Sequence, residues 1–322
     1  PLQKYYCERR TKMKILVTGA MGFIGKHLVK ALKDHGYDII GIDLAVADSD
    51  NYVRADITYF EDVWKIFKES NGFDIVLHLA GEVGRLNGEE YPQRMIYVNE
   101  IGTLNLVKLC LEYNSKLVYF STSEIYGRLF DEKEVCEEDF STISPDMITN
   151  IYAMSKFFGE GIVNHYVKNY DLLAVGIRPF MIYGPGIIAS KYKSAIDQFV
   201  YNSLTNKPFV VHEGSERAWC YIDDFIDGIL KIMANHSFKA GVYESYNVGT
   251  QEYRLTEDLA KLVLELTGSS SNLMQLVHLP NKFISGRKRF SNRKLRELGW
   301  EQKIPLRQGL QKVIEWYENE AV

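Results

Sequence analysis

Cysteine is scarce in this 322-residue chain, with only four, and no apolar run approaches the roughly 20 residues that a membrane-spanning helix requires. Cys7, Cys110, Cys136 and Cys220 are scattered with no C-x-x-C spacing, which excludes a disulfide framework and a zinc-ligand set. They suit reduced thiols in the cytoplasm, and no metal site is expected. There is no cationic excess either. The 38 Lys and Arg against 42 Asp and Glu give a net charge of −4, which argues against nucleic acid or an anionic membrane as the main partner. Internal repeats, low-complexity tracts and long linkers are also missing. Residues 1–12 contain no apolar stretch of the kind a signal peptide needs, so the functional reading is expected to begin at Met13, with the leader unassigned. At 46 % hydrophobic and 25 % charged residues, the composition suits an ordinary globular core that needs no disulfide or metal staple.

What is present first is an alternation. The apolar runs KILVT (14–18), YDIIGID (37–43), FDIVLHLA (73–80), KLVYFST (116–122) and LLAVGIRP (172–179) read as buried parallel strands. Helical patterns lie between them at about 23–35, 60–70, 93–113 and 150–169. This spacing predicts βαβ units and an α/β class, a doubly wound parallel Rossmann sheet. After Pro185 the pattern changes to helices near 192–204, 223–235, 256–267 and 305–319, separated by short runs such as PFVVH and ESYNV. Residues 13–185 are therefore expected to form the catalytic, nucleotide-binding domain, and 186–322 a smaller α/β substrate lobe.

The first strand runs straight into Thr18-Gly19-Ala20-Met21-Gly22-Phe23-Ile24-Gly25 and a helix. Gly19 permits the tight turn, Gly22 lets the backbone approach a pyrophosphate at the helix N-terminus, and Gly25 lets the helix pack close on the strand. Asp43 ends the second strand, where it can accept bonds from the adenosine ribose and repel a 2′-phosphate, favouring NAD over NADP. Asp56 and Ile57, after the next strand, are expected beside the adenine amino group.

Two segments carry candidate chemistry. Ser121-Thr122-Ser123-Glu124 follows a strand, and Tyr152 and Lys156 lie four apart on the next helix, on one face. A lysine beside a phenol is expected to lower its pKa, so that Tyr152 takes a proton from a substrate hydroxyl as hydride leaves the same carbon; Thr122 would orient that hydroxyl.

The ordered series TGAMGFIG (18–25), Asp43, HLAG (78–81), YVNEIGTLN (97–105), STSEIYG (121–127), YAMSK (152–156), RPFMIYGPG (178–186), RAWCYIDD (217–224) and ELGW (297–300) resembles the extended short-chain dehydrogenase/reductases. That is the family of nucleotide-sugar epimerases, dehydratases and decarboxylases, and the resemblance runs from Met13 to the C-terminus. It implies that Thr122, Tyr152 and Lys156 are catalytic and that Lys156 also contacts the nicotinamide ribose. It assigns Phe23, Ile24, Leu79, Ala80 and Gly81 to the NAD site, and gives Asn99 a supporting role there. Such enzymes oxidise the sugar of a nucleoside-diphosphate sugar at C4 and then return the hydride. The Thr-Ser-Glu run is similar to that of 4,6-dehydratases and uronate decarboxylases, so Glu124 is the candidate general base with Ser123 as its helper. Arg217 and Arg287 are expected to bind the substrate diphosphate, with Arg289 as an alternative to Arg287 because the register there is uncertain. A homodimer is implied, paired through the helices near 93–113 and 150–169.

The chain departs from the family at Met181, where relatives usually carry an asparagine that contacts substrate. The polar stretch Glu82-Val83-Gly84-Arg85-Leu86-Asn87 is expected to line the sugar site. A lyase, either a 4,6-dehydratase or a uronate decarboxylase, is the leading expectation. A 4-epimerase is the alternative, and a non-catalytic NAD-binding sensor the remote one.

Overall fold

The computed structural model describes residues 12–46, 49, 51–188, 194–278 and 286–321. Cys7 and most of the leader lie outside the described residues, as does the expected start of a helix at 192. Seven strands form one sheet in the order Glu244–Val248, Ala174–Pro179, Lys116–Phe120, Ile75–His78, Lys14–Thr18, Asp38–Asp43, Tyr52–Arg54. Every pairing is parallel. The strand cores Ile15, Leu16, Val17, Val76, Leu77, Leu117 and Val118 are buried on both faces, which is why they read as continuous apolar runs.

The expected strands and helices of the first half are present, each within a few residues of its predicted bounds. The edge strand Glu244–Val248 is supplied from beyond residue 185, and one apolar cluster joins the sheet to Ile196, Phe199, Leu259 and Leu310. The two expected lobes therefore share a core. The predicted helix at 93–113 is broken into Pro92–Ile96, a π-helical turn Tyr97–Ile101, and Gly102–Glu112. Part of the polar stretch after HLAG is itself a short helix, Arg85–Glu90.

A buried charge network ties the helix Ile151–Tyr170 to the strand Ala174–Pro179. Arg178 donates through Nη2 to Glu160 Oε1 at 2.6 Å, with side chains 1 % and 0 % exposed. Its Nη1 donates to the Tyr126 hydroxyl at 2.6 Å, and that hydroxyl donates to Asn247 Oδ1 at 2.7 Å. Tyr126 belongs to the turn that carries Glu124, so the network braces the strand end where the chemistry is expected.

Candidate active site

The glycine loop has the geometry its sequence demands. Gly19 has φ +68°, and a Cβ there would meet the Ala80 nitrogen at 2.7 Å; one on Gly25 would meet the Gly19 oxygen at 2.2 Å. The first glycine therefore admits the neighbouring HLAG crossover, and the third admits the helix Phe23–Asp34. Asp43 Oδ2 accepts from the Met21 N–H at 2.9 Å, which holds the carboxylate against the loop. Asp56 Oδ1 accepts from the Thr58 N–H and hydroxyl, and Asn105 donates to the Ile57 and Thr58 carbonyls, fixing the loop expected at the adenine.

Further along the cleft the residues fit a nicotinamide dinucleotide. A Cβ on Gly81 would lie 2.7 Å from Asn99 Oδ1 and 3.3 Å from Lys156 Nζ, so the chain needs glycine where the lysine reaches the cleft. Among the described residues, the buried Ser121 Oγ at the strand end beside it finds no hydrogen-bond partner. Asn99 sits in the π-helical turn, accepts from the Glu82 N–H at 2.8 Å and donates to Ser155 Oγ at 2.9 Å. The bulge thus turns one amide side chain toward both the HLAG loop and the catalytic helix.

Asn150 caps that helix by accepting from the Ala153 N–H at 2.8 Å, which places Tyr152 in the first turn and Lys156 one turn on. Thr122, Ser123, Tyr152 and Lys156 converge at the end of the strand Lys116–Phe120, and Tyr152 hydrogen-bonds Thr122. One expectation is corrected here. Burial raises the Tyr152 phenol to about 12, opposed by the Thr122 hydrogen bond and reinforced by Glu124. Burial outweighs the pull expected from Lys156, whose ammonium donates to the Phe120 carbonyl at 2.9 Å. Burial holds Lys156 itself down to about 8. Bound NAD would supply the hydride acceptor and, in its oxidised form, a positive charge.

The other wall is cationic. Glu124 forms an ion pair with Lys288, whose side chain is 5 % exposed. Burial pushes the Glu124 carboxyl up, but Lys288, Arg85 and Arg217 outweigh it and hold the group down to about 2. Arg217 is buried, and its Nη1 donates to the Glu216 and Gly286 carbonyls at 2.7 and 3.2 Å. Arg287 and Arg289 face outward, Arg289 pairing with Glu216 at 2.8 Å. The structure thus brings Arg217 to the site, leaves Arg287 exposed, and puts the overlooked Lys288 between them facing in. A signal was available. In an extended run successive side chains alternate, and the apolar Phe290 shares a face with Lys288.

Met181 adopts φ +47°, a left-handed conformation that asparagine tolerates and methionine disfavours, and its side chain packs against the core. The backbone retains the shape that relatives' asparagine would suit, while the side chain offers only a weak acceptor.

A Rossmann sheet with a glycine loop, a Tyr-x-x-x-Lys pair whose lysine is buried and a carboxylate at the adjoining strand end defines an NAD-dependent enzyme acting on a nucleotide-linked sugar. The chain belongs to the NAD dependent epimerase/dehydratase family, whose model matches residues 15–249. It is 30 % identical to dTDP-D-glucose 4,6-dehydratase of Homo sapiens, over 94 % of this chain and 89 % of that protein. It is 28 % identical to UDP-glucuronate 4-epimerase 1 of Arabidopsis thaliana, over 95 % and 76 %. The structure is similar to UDP-glucose 4-epimerase of Thermus thermophilus in complex with NAD, with a TM-score of 0.82, 27 % identity, and coverage of 96 % of this chain and 100 % of that one.

Proposed function

We propose that this chain is a nucleoside-diphosphate-sugar 4,6-dehydratase, a lyase that removes water across C5 and C6 after transient oxidation at C4. The observation that carries the reading is Glu124, an ionised carboxylate two residues beyond Thr122, in contact with the buried ammonium of Lys288. An epimerase that only rotates a keto intermediate needs no carboxylate there. Decarboxylation expels CO2 and needs no base at C5. Dehydration needs a base for the C5 proton and an acid for the C6 oxygen.

In this reading Tyr152 accepts the O4 proton, Thr122 orients that hydroxyl, and Lys156 holds the cofactor ribose. Arg217 binds the diphosphate, for which a guanidinium fork is suited. Uronate decarboxylation is the second reading, favoured by the three cations around a single carboxylate, which would also accept a sugar carboxylate. Incubation with dTDP-glucose, UDP-glucose and UDP-glucuronate decides between them by mass. Loss of water from a hexose is expected. Loss of CO2 from the glucuronate alone would select the second reading, and C4 epimers alone would overturn both.

Among the described residues no helix is long and apolar enough to cross a membrane. Cys110, Cys136 and Cys220 are unpaired, which suits work in the cytoplasm. The expected partner is a second copy of the chain. Ile96, Tyr97 and Ile101 are exposed on the broken helix, and Phe158 and Tyr170 on the helix packed against it, an apolar face of the kind that pairing covers. Light scattering at micromolar concentration should give the mass of a dimer; a monomer mass would contradict the pairing.

A further inference from the structure

Dehydration requires an acid at the C6 oxygen, and the position next to the base holds Ser123, a hydroxyl with little acidity of its own. We propose that Lys288 is that acid, a catalytic residue that protonates the departing C6 oxygen while Glu124, in contact with it, removes the C5 proton. The inference rests on the dehydratase reading above and names the group that completes it.

The bridge between Glu216 and Arg287 lays the 286–290 segment along the strand Glu216–Ala218, and Arg217 binds the Gly286 carbonyl. Lys288 is thereby turned inward, with its ammonium on Glu124 and over the Phe130 ring at 5.6 Å. A buried lysine touching the base is placed to serve two adjacent carbons of one sugar, Glu124 at C5 and Lys288 at the oxygen on C6. Burial lowers Lys288 to about 8; Glu124 opposes the shift, and the charges of Arg217 and Arg85 reinforce it. Its proton is thus transferable near neutrality, which a guanidinium's is not.

The step balances. With a ketone at C4, the C5–H bond breaks, its proton goes to Glu124, and its electron pair forms the C5–C6 double bond. The C6–O bond breaks, and the oxygen leaves as water with a proton from Lys288. Losing that proton removes the positive charge that made Glu124 a weak base, so each transfer favours the other. Glu124 exchanges its proton with solvent and delivers one to C5 when C6 is reduced. Lys288 is reset, through solvent, by the equivalent of the proton Tyr152 took from O4. Over the cycle the O4 proton leaves in the water.

The test uses dTDP-glucose and its 6-deoxy-6-fluoro analogue, whose fluoride departs with far less need of a proton. Lys288→Arg keeps the charge on Glu124 but cannot give up a proton. It should lose about 10²–10⁴-fold on dTDP-glucose and keep within a few-fold of wild-type turnover on the fluoro sugar. Lys288→Met, if it folds, should show the same split. Glu124→Gln should fail on both. Equal losses on the two substrates, or none, would overturn the acid role while leaving the dehydratase reading intact. Wild-type protein that eliminates neither water nor fluoride from the dTDP or the UDP sugars would instead overturn the reading itself.

Discussion

Glu124→Gln should oxidise its substrate and then stop, accumulating enzyme-bound NADH seen by absorbance. The amide is similar in size to the carboxylate and leaves Thr122 and Tyr152 in place, but it cannot take a proton from carbon. The loss in turnover should be about 10²–10⁴-fold, the scale of positioned acid–base catalysis. Tyr152→Phe should behave oppositely and form no NADH, because the group that accepts the O4 proton is gone. Near-normal turnover in Glu124→Gln would remove the dehydratase reading.

Glu160→Gln should cost about 3–5 kcal/mol of stability, because it leaves the Arg178 guanidinium buried and uncompensated. For a chain of 322 residues that lowers the melting temperature by roughly 4–7 °C. Urea denaturation of the two proteins measures it directly, and a difference below about 1 kcal/mol would show that Arg178 finds other partners. Turnover should fall as well, since Arg178 holds Tyr126, and Tyr126 lies in the turn that positions Glu124.

The sheet was legible because both-face burial writes itself as unbroken apolar runs, and the glycine loop because only glycine fits at 19 and 25. The strand Glu244–Val248 was visible as a strand but not as part of this sheet, since pairing across more than sixty residues leaves no local mark. The π-helical turn around Asn99 was hidden because the one residue it inserts shifts the apolar period by a single position within a short helix. At the site, Thr122, Glu124, Tyr152 and Lys156 were placed by strand ends and helix spacing. Lys288 was missed because three consecutive basic residues look interchangeable until the alternation that buries Phe290 is followed back. The Tyr152 phenol was misjudged because spacing put Lys156 on the same face but could not show how strongly burial raises the phenol.

On the dehydratase reading the protein pulls a proton from C5 and expels the C6 oxygen. Turnover of dTDP-glucose in deuterated water, followed by proton NMR of the product, measures both events. The expected product is a 4-keto-6-deoxy sugar with deuterium at C5. A C4 epimer carrying no deuterium would contradict it.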